Sequence, residues 1–544
     1  MKSKIFPLVL LFVLSLVPLI DLIHPGLPLT HDGQDHVARI ANFYTNLQEG
    51  NIVPRWAGNL NWGYGHPILM FLYPLPSYMA SIIHFSGFSF VDSVKIVFGV
   101  SFILSALCMY LWLSEFMTKE AAIGGGLLYT FAPYRFVDLY VRGAIGEHVA
   151  FIFPPLILYF LLKLSKKQSF WYVFGGSLSL AGLVLSHNAI SLMFLPIILF
   201  YAIFLLFQTK SKKRLYRDIF FLLLFGFGIS MLFWFPAFIE GKYTLRDIVT
   251  KGVYANNFVS FQQLLFSPWS YGGSGEFSPQ IGILQWFFTA LSVPLIVYLY
   301  MKRNKKWIFL TGLLFYFIIT IFLMTPASKF IWEKITILQK FQFPWRFLSI
   351  SVFSSAVLGA AVLSTTLKRF QKVFIALLVV LVLLFNKDYF HPKGYLQKPQ
   401  GFYTSIYNST TDTGESASIW SVRFMEKRPK AHIETLSGQA TIREKERKVI
   451  VHNYEVISSN NTRLRENTLY FPGWKVLVDG LSVPIEFQDP NNRGLMTFYV
   501  EKGKHTVSVI FEETKLRLLA DIISGISLFA LVLLVILRKR IWEA

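Results

Sequence analysis

Apolar runs of about 20 residues, separated by short polar or basic stretches, dominate the sequence. A helix of about 20 apolar residues spans the hydrocarbon core of a bilayer, so runs of this length are typical of transmembrane segments. The pattern therefore predicts a polytopic α-helical membrane protein. The runs lie near residues 5–22, 67–86, 94–115, 121–137, 148–163, 170–186, 189–207, 218–237, 281–301, 307–324, 346–366, 371–386 and 517–537.

Basic clusters between these runs indicate a topology, because cytoplasmic loops of membrane proteins carry an excess of Lys and Arg. Placing every cluster in the cytoplasm requires an even number of crossings between neighbouring clusters, which leaves one run too many before Lys163. We expect the run at 67–86 not to cross, because Pro74 and Pro76 interrupt its helical hydrogen bonds. About twelve transmembrane helices with both termini in the cytoplasm result, and the loop 24–93 lies outside.

A polar stretch near the end of the chain changes the pattern from long apolar runs to short alternating ones. Asp479 and Gly480 separate two alternating segments, and an Asp-Gly pair in this position is a strong signal for a β-hairpin. We expect an extracytoplasmic β-rich domain, sandwich-like or jelly-roll-like, inserted before the last transmembrane helix. The predicted segments are a membrane domain over 1–386, the β-rich domain over 387–516, and a final helix with a basic cytoplasmic tail over 517–544.

Composition narrows the function classes further. The net charge is +21, but the basic residues form short clusters between apolar runs, where membrane orientation explains them and nucleic-acid binding does not. The single cysteine, Cys108, excludes an intrachain disulfide and a cysteine metal cluster.

Carboxylates in two extracytoplasmic loops are the main candidates for chemistry. Asp32 and Asp35 follow the first apolar run directly, and Glu147 follows the third transmembrane helix. A carboxylate at a membrane interface loses hydration unless it is paired, so these acids indicate proton transfer, cation binding or substrate contact. The structural alternative is simple pairing with arginines such as Arg39 and Arg142.

Several short motifs, taken in their order along the chain, resemble those of YfhO-like membrane proteins and, in layout, GT-C fold glycosyltransferases. The YfhO-like set also carries the label "6-pyruvoyl-tetrahydropterin synthase-related", which does not describe an activity here, because such a synthase is a small soluble zinc enzyme. The motifs are Asp32-Gly-Gln-Asp35-His36, Gly50 to Trp56, Gly63-Tyr-Gly65-His-Pro67, Tyr73-Pro74-Leu-Pro76, Arg142-Gly-Ala with Glu147, Phe341 to Arg346, and Tyr470 to Trp474.

The resemblance implies transfer of a sugar from a polyprenyl-phosphate donor, with inversion, to a glycolipid, polysaccharide or protein acceptor on the outer face of a prokaryotic plasma membrane. It points to Asp35 or Asp32 as the base that accepts the proton of the acceptor hydroxyl. Glu147 would orient a substrate or share a divalent cation, Mg²⁺ or Mn²⁺, with the two aspartates.

A leaving phosphate needs a cation, and Arg346 is the first candidate because it lies at the outward start of a helix. Arg142 and Arg246 are weaker alternatives. The other candidate substrate-binding residues are His36, Arg39, His148, His187, Gln342 and Trp345. Two other classes of function stay open at this point, a transporter of lipids or lipid-linked sugars and a non-catalytic scaffold for cell-envelope assembly.

Overall fold

A computed structural model of the protein describes residues 2–273 and 276–541. Within these ranges, nine helices are long and apolar enough to cross a membrane. The protein is therefore a polytopic helical membrane protein, as predicted. The nine helices are Ile5–Ile23, Phe90–Leu113, Ile145–Lys166, Asn188–Gln208, Ile283–Met301, Lys306–Met324, Pro344–Thr365, Lys368–Tyr389 and Lys515–Arg538.

Three of the twelve predicted crossings fall short as continuous spans. Lys119–Thr130 has 12 residues, a rise of only about 18 Å against a hydrocarbon core of about 30 Å. Phe170–Ser186 has 17 residues. Lys212–Ile229 and Met231–Tyr243 meet at a bend of 65°. Across the described ranges the count is thus nine, or ten with the bent pair, because apolar run length does not show where a helix breaks.

The run at 67–86 is interrupted as predicted. It forms the short helices Ile68–Phe71 and Leu75–Phe85, and Pro74 occupies the N-cap of the second. Because the 11 residues of Leu75–Phe85 are too few for a membrane span, the helix suits an interfacial position. Ile82 and Phe85 on this helix are exposed.

The β-rich domain consists of two antiparallel sheets. In chain order, β1–β10 are Leu27–Pro28, Tyr395–Leu396, Ile433–Ser437, Ala440–Arg447, Val451–Ser458, Thr462–Leu469, Trp474–Val478, Leu481–Val483, Leu495–Val500 and Gly503–Phe511. One sheet has the order β4-β5-β10-β7-β8 and the other β3-β6-β9, while β1 pairs only with β2. Apolar side chains of both larger sheets share one core, which makes the domain a sandwich.

The predicted hairpin is confirmed. β7 pairs with β8 in register, and the two residues between them, Asp479 and Gly480, have φ angles of 51° and 83°. Positive φ at both central positions is the signature of the turn that Asp-Gly favours.

Residues 397–432 form mostly irregular chain between β2 and β3, apart from the helix Gln400–Thr404. We call this segment the strap. It crosses the first loop, where Trp62 N donates to Tyr407 O at 2.9 Å and Asn61 N donates to Ser409 O at 2.9 Å.

The sandwich is anchored to the first loop. The ring of Trp56 meets that of Trp474 edge-on, with 5.4 Å between centroids. Arg55, which is 4% exposed, binds Glu513 at 3.0 Å and Asp521 at 2.7 Å, at the start of the final helix. These contacts fix the sandwich, and the strap that leads into it, against the membrane domain.

Candidate functional site

The first loop carries a helix, Gly33–Gln48, whose start is held against the segment that precedes Glu147. His31 N and Asp32 N donate to Val141 O and Arg142 O at 3.0 and 2.9 Å. Gly143 permits this approach, because it has a φ of +67° and a Cβ there would lie 2.3 Å from Thr30 Oγ1. The two acidic loops of the sequence are therefore neighbours.

Asp35 lies in the first turn of this helix, where the helix dipole favours a negative charge. The Tyr407 hydroxyl of the strap donates to Asp35 Oδ1 at 2.9 Å, and Gln34 Nε2 donates to the same hydroxyl at 2.7 Å. Burial raises the pKa of Asp35 above its ordinary value, although Arg39 and Tyr407 act in the opposite direction. Asp35 is thus a positioned carboxylate with raised proton affinity.

Arg39 is directed toward the strap. Its Nε donates to Thr411 Oγ1 at 2.9 Å, its Nη2 to Thr411 O, and its Nη1 lies 3.2 Å from His36 Nδ1. Burial lowers the pKa of His36 well below its ordinary value, and the positive charge of Arg39 acts in the same direction. Neutral His36 can accept a hydrogen bond from Arg39, so this pair holds the strap.

Asp412 fixes the turn of the strap beside these contacts. It accepts hydrogen bonds from Gly414 N at 2.8 Å and Ser416 N at 3.0 Å, and its Oδ1 lies 3.4 Å from His66 Nε2. Burial acts to raise the pKa of Asp412, but His66 and the two donors outweigh it and hold the pKa below the ordinary value. These contacts therefore hold the strap in a defined conformation within the site.

A second cluster surrounds Glu147, whose side chain is fully buried. Its Oε1 accepts from Arg142 Nη2 at 2.8 Å and from Arg346 Nε at 3.2 Å, and its Oε2 accepts from the Tyr134 hydroxyl at 2.7 Å. His187 Nε2 lies 3.8 Å from Oε1. Glu147 is therefore an anchor for two arginines.

Both arginines have further supports. Arg142 Nη1 donates to Asp138 at 2.6 Å, and its guanidinium lies over the Trp345 ring at 4.5 Å from the centroid. Arg346 Nη1 donates to Phe341 O at 2.8 Å. In the part of the chain that the structure describes, Arg346 Nη2 makes no hydrogen bond.

Gln342 connects the Glu147 cluster with the strap. It has a positive φ of 62°, its Oε1 lies 3.5 Å from Arg346 Nη1, and its Nε2 donates to Glu415 Oε2 of the strap at 2.6 Å.

Tyr73 lies where the two clusters meet. Its ring stacks on His187 with 4.8 Å between centroids, and burial raises its pKa to about 12. Charges from both clusters, those of Arg39, Asp32, Glu147 and Arg346, act on its hydroxyl. Asp32 and Arg39 of the first-loop helix and the Glu147 cluster thus all lie near Tyr73.

His148, one of the residues singled out from the sequence, does not join this group. His148 is buried among Phe98 and Phe102, with ring centroids 5.3 and 5.8 Å away, and is directed into the helical core. Asp32 is the N-cap residue of the first-loop helix, half-buried and without a side-chain capping hydrogen bond.

The described residues do not fit a divalent cation site. Nowhere in ranges 2–273 and 276–541 do three His, Cys, Asp or Glu side chains converge in an arrangement that could hold a metal. Glu147 is occupied by Arg142, Arg346 and Tyr134, so Asp32, Asp35 and Glu147 do not form one ligand set.

Sequence reasoning missed the contribution of the strap. Tyr407, Thr411 and Glu415 contact Asp35, Arg39 and Gln342 across separations of 372, 372 and 73 residues. No periodicity or local motif marks such contacts.

Comparison with known proteins places the chain among membrane proteins. A family model described as "6-pyruvoyl-tetrahydropterin synthase related domain; membrane protein" matches residues 69–390, more than half of the chain. An uncharacterized protein of Lactococcus lactis subsp. cremoris is 27% identical over 218 residues, which cover 38% of this chain and 35% of that protein. The chain thus spans about a third of the length of this relative.

Three solved structures are similar at low sequence identity. The oligosaccharyltransferase of Archaeoglobus fulgidus, in complex with Zn and sulfate, has a TM-score of 0.44, 15% identity and coverage of 75% of this chain and 58% of its own. The arabinofuranosyltransferase AftD from Mycobacteria has a TM-score of 0.49 and 13% identity, and the match covers 73% of this chain and 28% of AftD. ArnT from Cupriavidus metallidurans, bound to undecaprenyl phosphate, has a TM-score of 0.42 and 15% identity, and the match covers 74% of this chain and 68% of ArnT.

Proposed function

The chain belongs to the 6-pyruvoyl-tetrahydropterin synthase related family of membrane proteins, and we propose that it is a membrane glycosyltransferase. The proposed reaction moves a sugar from a polyprenyl-phosphate donor to a glycolipid, polysaccharide or protein acceptor on the extracytoplasmic face of a prokaryotic plasma membrane. The observation that supports it best is a positioned carboxylate, Asp35, on a helix whose start is hydrogen-bonded to the segment that carries Arg142, one of the two arginines bound to Glu147.

Asp35 is the proposed general base. Burial shifts the pKa of Asp35 upward, toward neutral pH, and a base with a pKa nearer the working pH accepts a proton from an alcohol more readily in the transition state. Asp32 is the weaker choice, because no capping hydrogen bond holds its side chain whereas Tyr407 holds Asp35. The acceptor oxygen gives its proton to Asp35 and forms a bond to the anomeric carbon.

Arg346 is the proposed phosphate-binding residue. As the anomeric carbon–oxygen bond breaks, the electron pair stays on the phosphate, and a guanidinium beside it stabilises the growing charge. Glu147 and Phe341 O hold two of the nitrogens of Arg346, which leaves Nη2 for the phosphate. Attack and departure on opposite faces of the sugar give inversion.

Glu147 is then a positioning residue rather than a base. Its two oxygens accept three hydrogen bonds from Arg142, Arg346 and Tyr134, so it fixes both guanidinium groups and is not available to accept a proton. Replacing it with Gln should misplace the arginines and lower turnover while leaving Asp35 unchanged.

The test is donor consumption by the purified full-length protein with a panel of polyprenyl-phosphate sugars and membrane-extract acceptors. Asp35→Asn should abolish turnover, and Arg346→Gln should reduce it strongly, at least 100-fold on the scale of other oxyanion-stabilising donors. Asp247→Asn is the matched control, since Asp247 lies in an exposed ion pair with Lys340. Wild-type turnover in Asp35→Asn would refute the proposal.

A further inference from the structure

A cleft separate from the acidic and arginine clusters lies where the strap joins the sandwich. It has a volume of about 420 Å³, within the roughly 300–1,000 Å³ range of ligand pockets. Gly63 of the first loop, Ile406 and residues 428–432 of the strap, and side chains of β3, β4 and β5 line it. Three separate parts of the chain therefore build one concave surface.

The rim of this cleft carries unpaired positive charge. Arg428 and Lys430 are both exposed and line it, and no carboxylate of the described chain lies within ion-pair distance of either. Glu444, the acid in the lining, is already bound to His432 at 2.7 Å. Arg428 Nη2 donates only to a backbone carbonyl there, Ile406 O, at 3.4 Å. A ligand in the cleft thus meets two cations without a carboxylate partner and one carboxylate that His432 already contacts, an arrangement that favours an anion.

The floor and walls suit a sugar rather than a bare ion. Ile406, Ile433 and Ile442 supply apolar surface, against which the carbon–hydrogen faces of a sugar can pack. Tyr454 is held rigid below them, because its hydroxyl donates to the buried Glu466 at 2.7 Å and accepts from Arg447 at 2.8 Å. Mixed apolar and polar walls of this kind are typical of ligand pockets.

The strap links the cleft to the candidate catalytic centre. Ile406 in its wall precedes Tyr407, whose hydroxyl binds Asp35. Gly63 allows the strap to lie close at this point, since it has a φ of +88° and a Cβ there would meet Ile406 at 3.2 Å. Neighbouring residues of the strap thus contact the cleft and the candidate base.

We propose that this cleft binds the acceptor, and that the acceptor is an acidic saccharide whose carboxylate or phosphate groups pair with Arg428 and Lys430. The role of the ligand as an acceptor rests on the glycosyltransferase function proposed above, but its binding to the cleft can be measured without turnover.

The experiment is calorimetric titration of the full-length protein in nanodiscs with three probes. These are trigalacturonate, its neutral carboxyl-reduced counterpart, and a glycerol-phosphate trimer. At least one anionic probe should bind, and which one binds identifies the anionic group. The double variant Arg428→Gln/Lys430→Gln should weaken that binding roughly tenfold or more. Lys427→Gln is the matched control, because Lys427 is an exposed cation of the same segment outside the lining.

Failure of both anionic probes to bind overturns the proposal, as does equal binding of the neutral probe or an equal loss in Lys427→Gln. Asp35→Asn separates the two proposals, because it should bind the anionic probe like wild type while losing donor turnover. If the double variant Arg428→Gln/Lys430→Gln loses cleft binding but keeps wild-type turnover, the acceptor site alone is refuted. Cleft-dependent binding without any turnover in wild type refutes the transferase alone.

Discussion

Tyr407→Phe tests whether the strap tunes the candidate base. The Tyr407 hydroxyl donates to Asp35 at 2.9 Å and lowers the pKa of that carboxyl against the raising effect of burial. Removing the hydroxyl leaves burial unopposed by this donor, so the pKa of Asp35 should rise further. A base works only when deprotonated, and the rise of kcat/KM with pH should therefore move to higher pH.

The size of the change follows from the contact. A hydrogen bond to a charged group is worth about 1.5–3 kcal/mol, and one pKa unit corresponds to about 1.36 kcal/mol. Because Asp35 is only half-buried and water can replace part of the lost bond, we take the lower end, about one unit. Below the wild-type pKa, kcat/KM should fall about tenfold, and on the alkaline plateau it should be unchanged.

The assay is kcat/KM for donor consumption measured from acidic to neutral pH. Tyr403→Phe is the matched control, because Tyr403 is a buried tyrosine of the same strap whose hydroxyl has no hydrogen-bond partner among the described residues. An identical pH profile in wild type and Tyr407→Phe would refute the role given to Asp35. So would a uniform loss at every pH, which indicates a structural defect.

Two further substitutions test the frame around the site. Gly146→Ala places a Cβ 2.1 Å from the ring of Tyr73. Since a misplacement of about 1 Å in an active site can lower the rate about 100-fold, turnover should fall by about that factor while the protein elutes from size-exclusion chromatography as wild type does. An unchanged kcat would contradict this reasoning. Trp56→Ala removes the edge-on contact with Trp474 and should lower local stability by about 3–5 kcal/mol. The measurement is the rate of proteolysis of the sandwich, which should increase. Trp171→Ala, at an exposed position, is the control and should leave that rate unchanged.

The sequence predicts those features whose signals are local. Apolar run length predicts the nine long helices, and Pro74 predicts the break in the run at 67–86, because proline disfavours a helix interior and is tolerated at a helix start, where it lies here. The Asp479-Gly480 hairpin follows from the φ angles that these two residues tolerate. Each prediction depends on a few consecutive residues and on no distant partner.

The site could be predicted only in part, because its geometry depends on distant partners. Asp35, Glu147 and Arg346 stand out as charges in an apolar chain, and the structure brings Glu147 and Arg346 into contact across 199 residues. His148 stands out equally, yet it faces the core, because a neighbour in sequence on a helix points about 100° away from Glu147. The direction of a side chain depends on packing that composition does not show.

The strap makes the soluble insert a part of the candidate active site rather than an appended domain. Tyr407 contacts the carboxylate side through Asp35, and Glu415 contacts the arginine side through Gln342. Arg39 holds the chain between these two points through Thr411. A boundary at residue 387 would therefore divide the centre itself, and removing the insert would leave Arg39 and Gln342 without these partners. The proposed acceptor cleft and the proposed base are contacted by neighbouring residues of the strap, Ile406 and Tyr407.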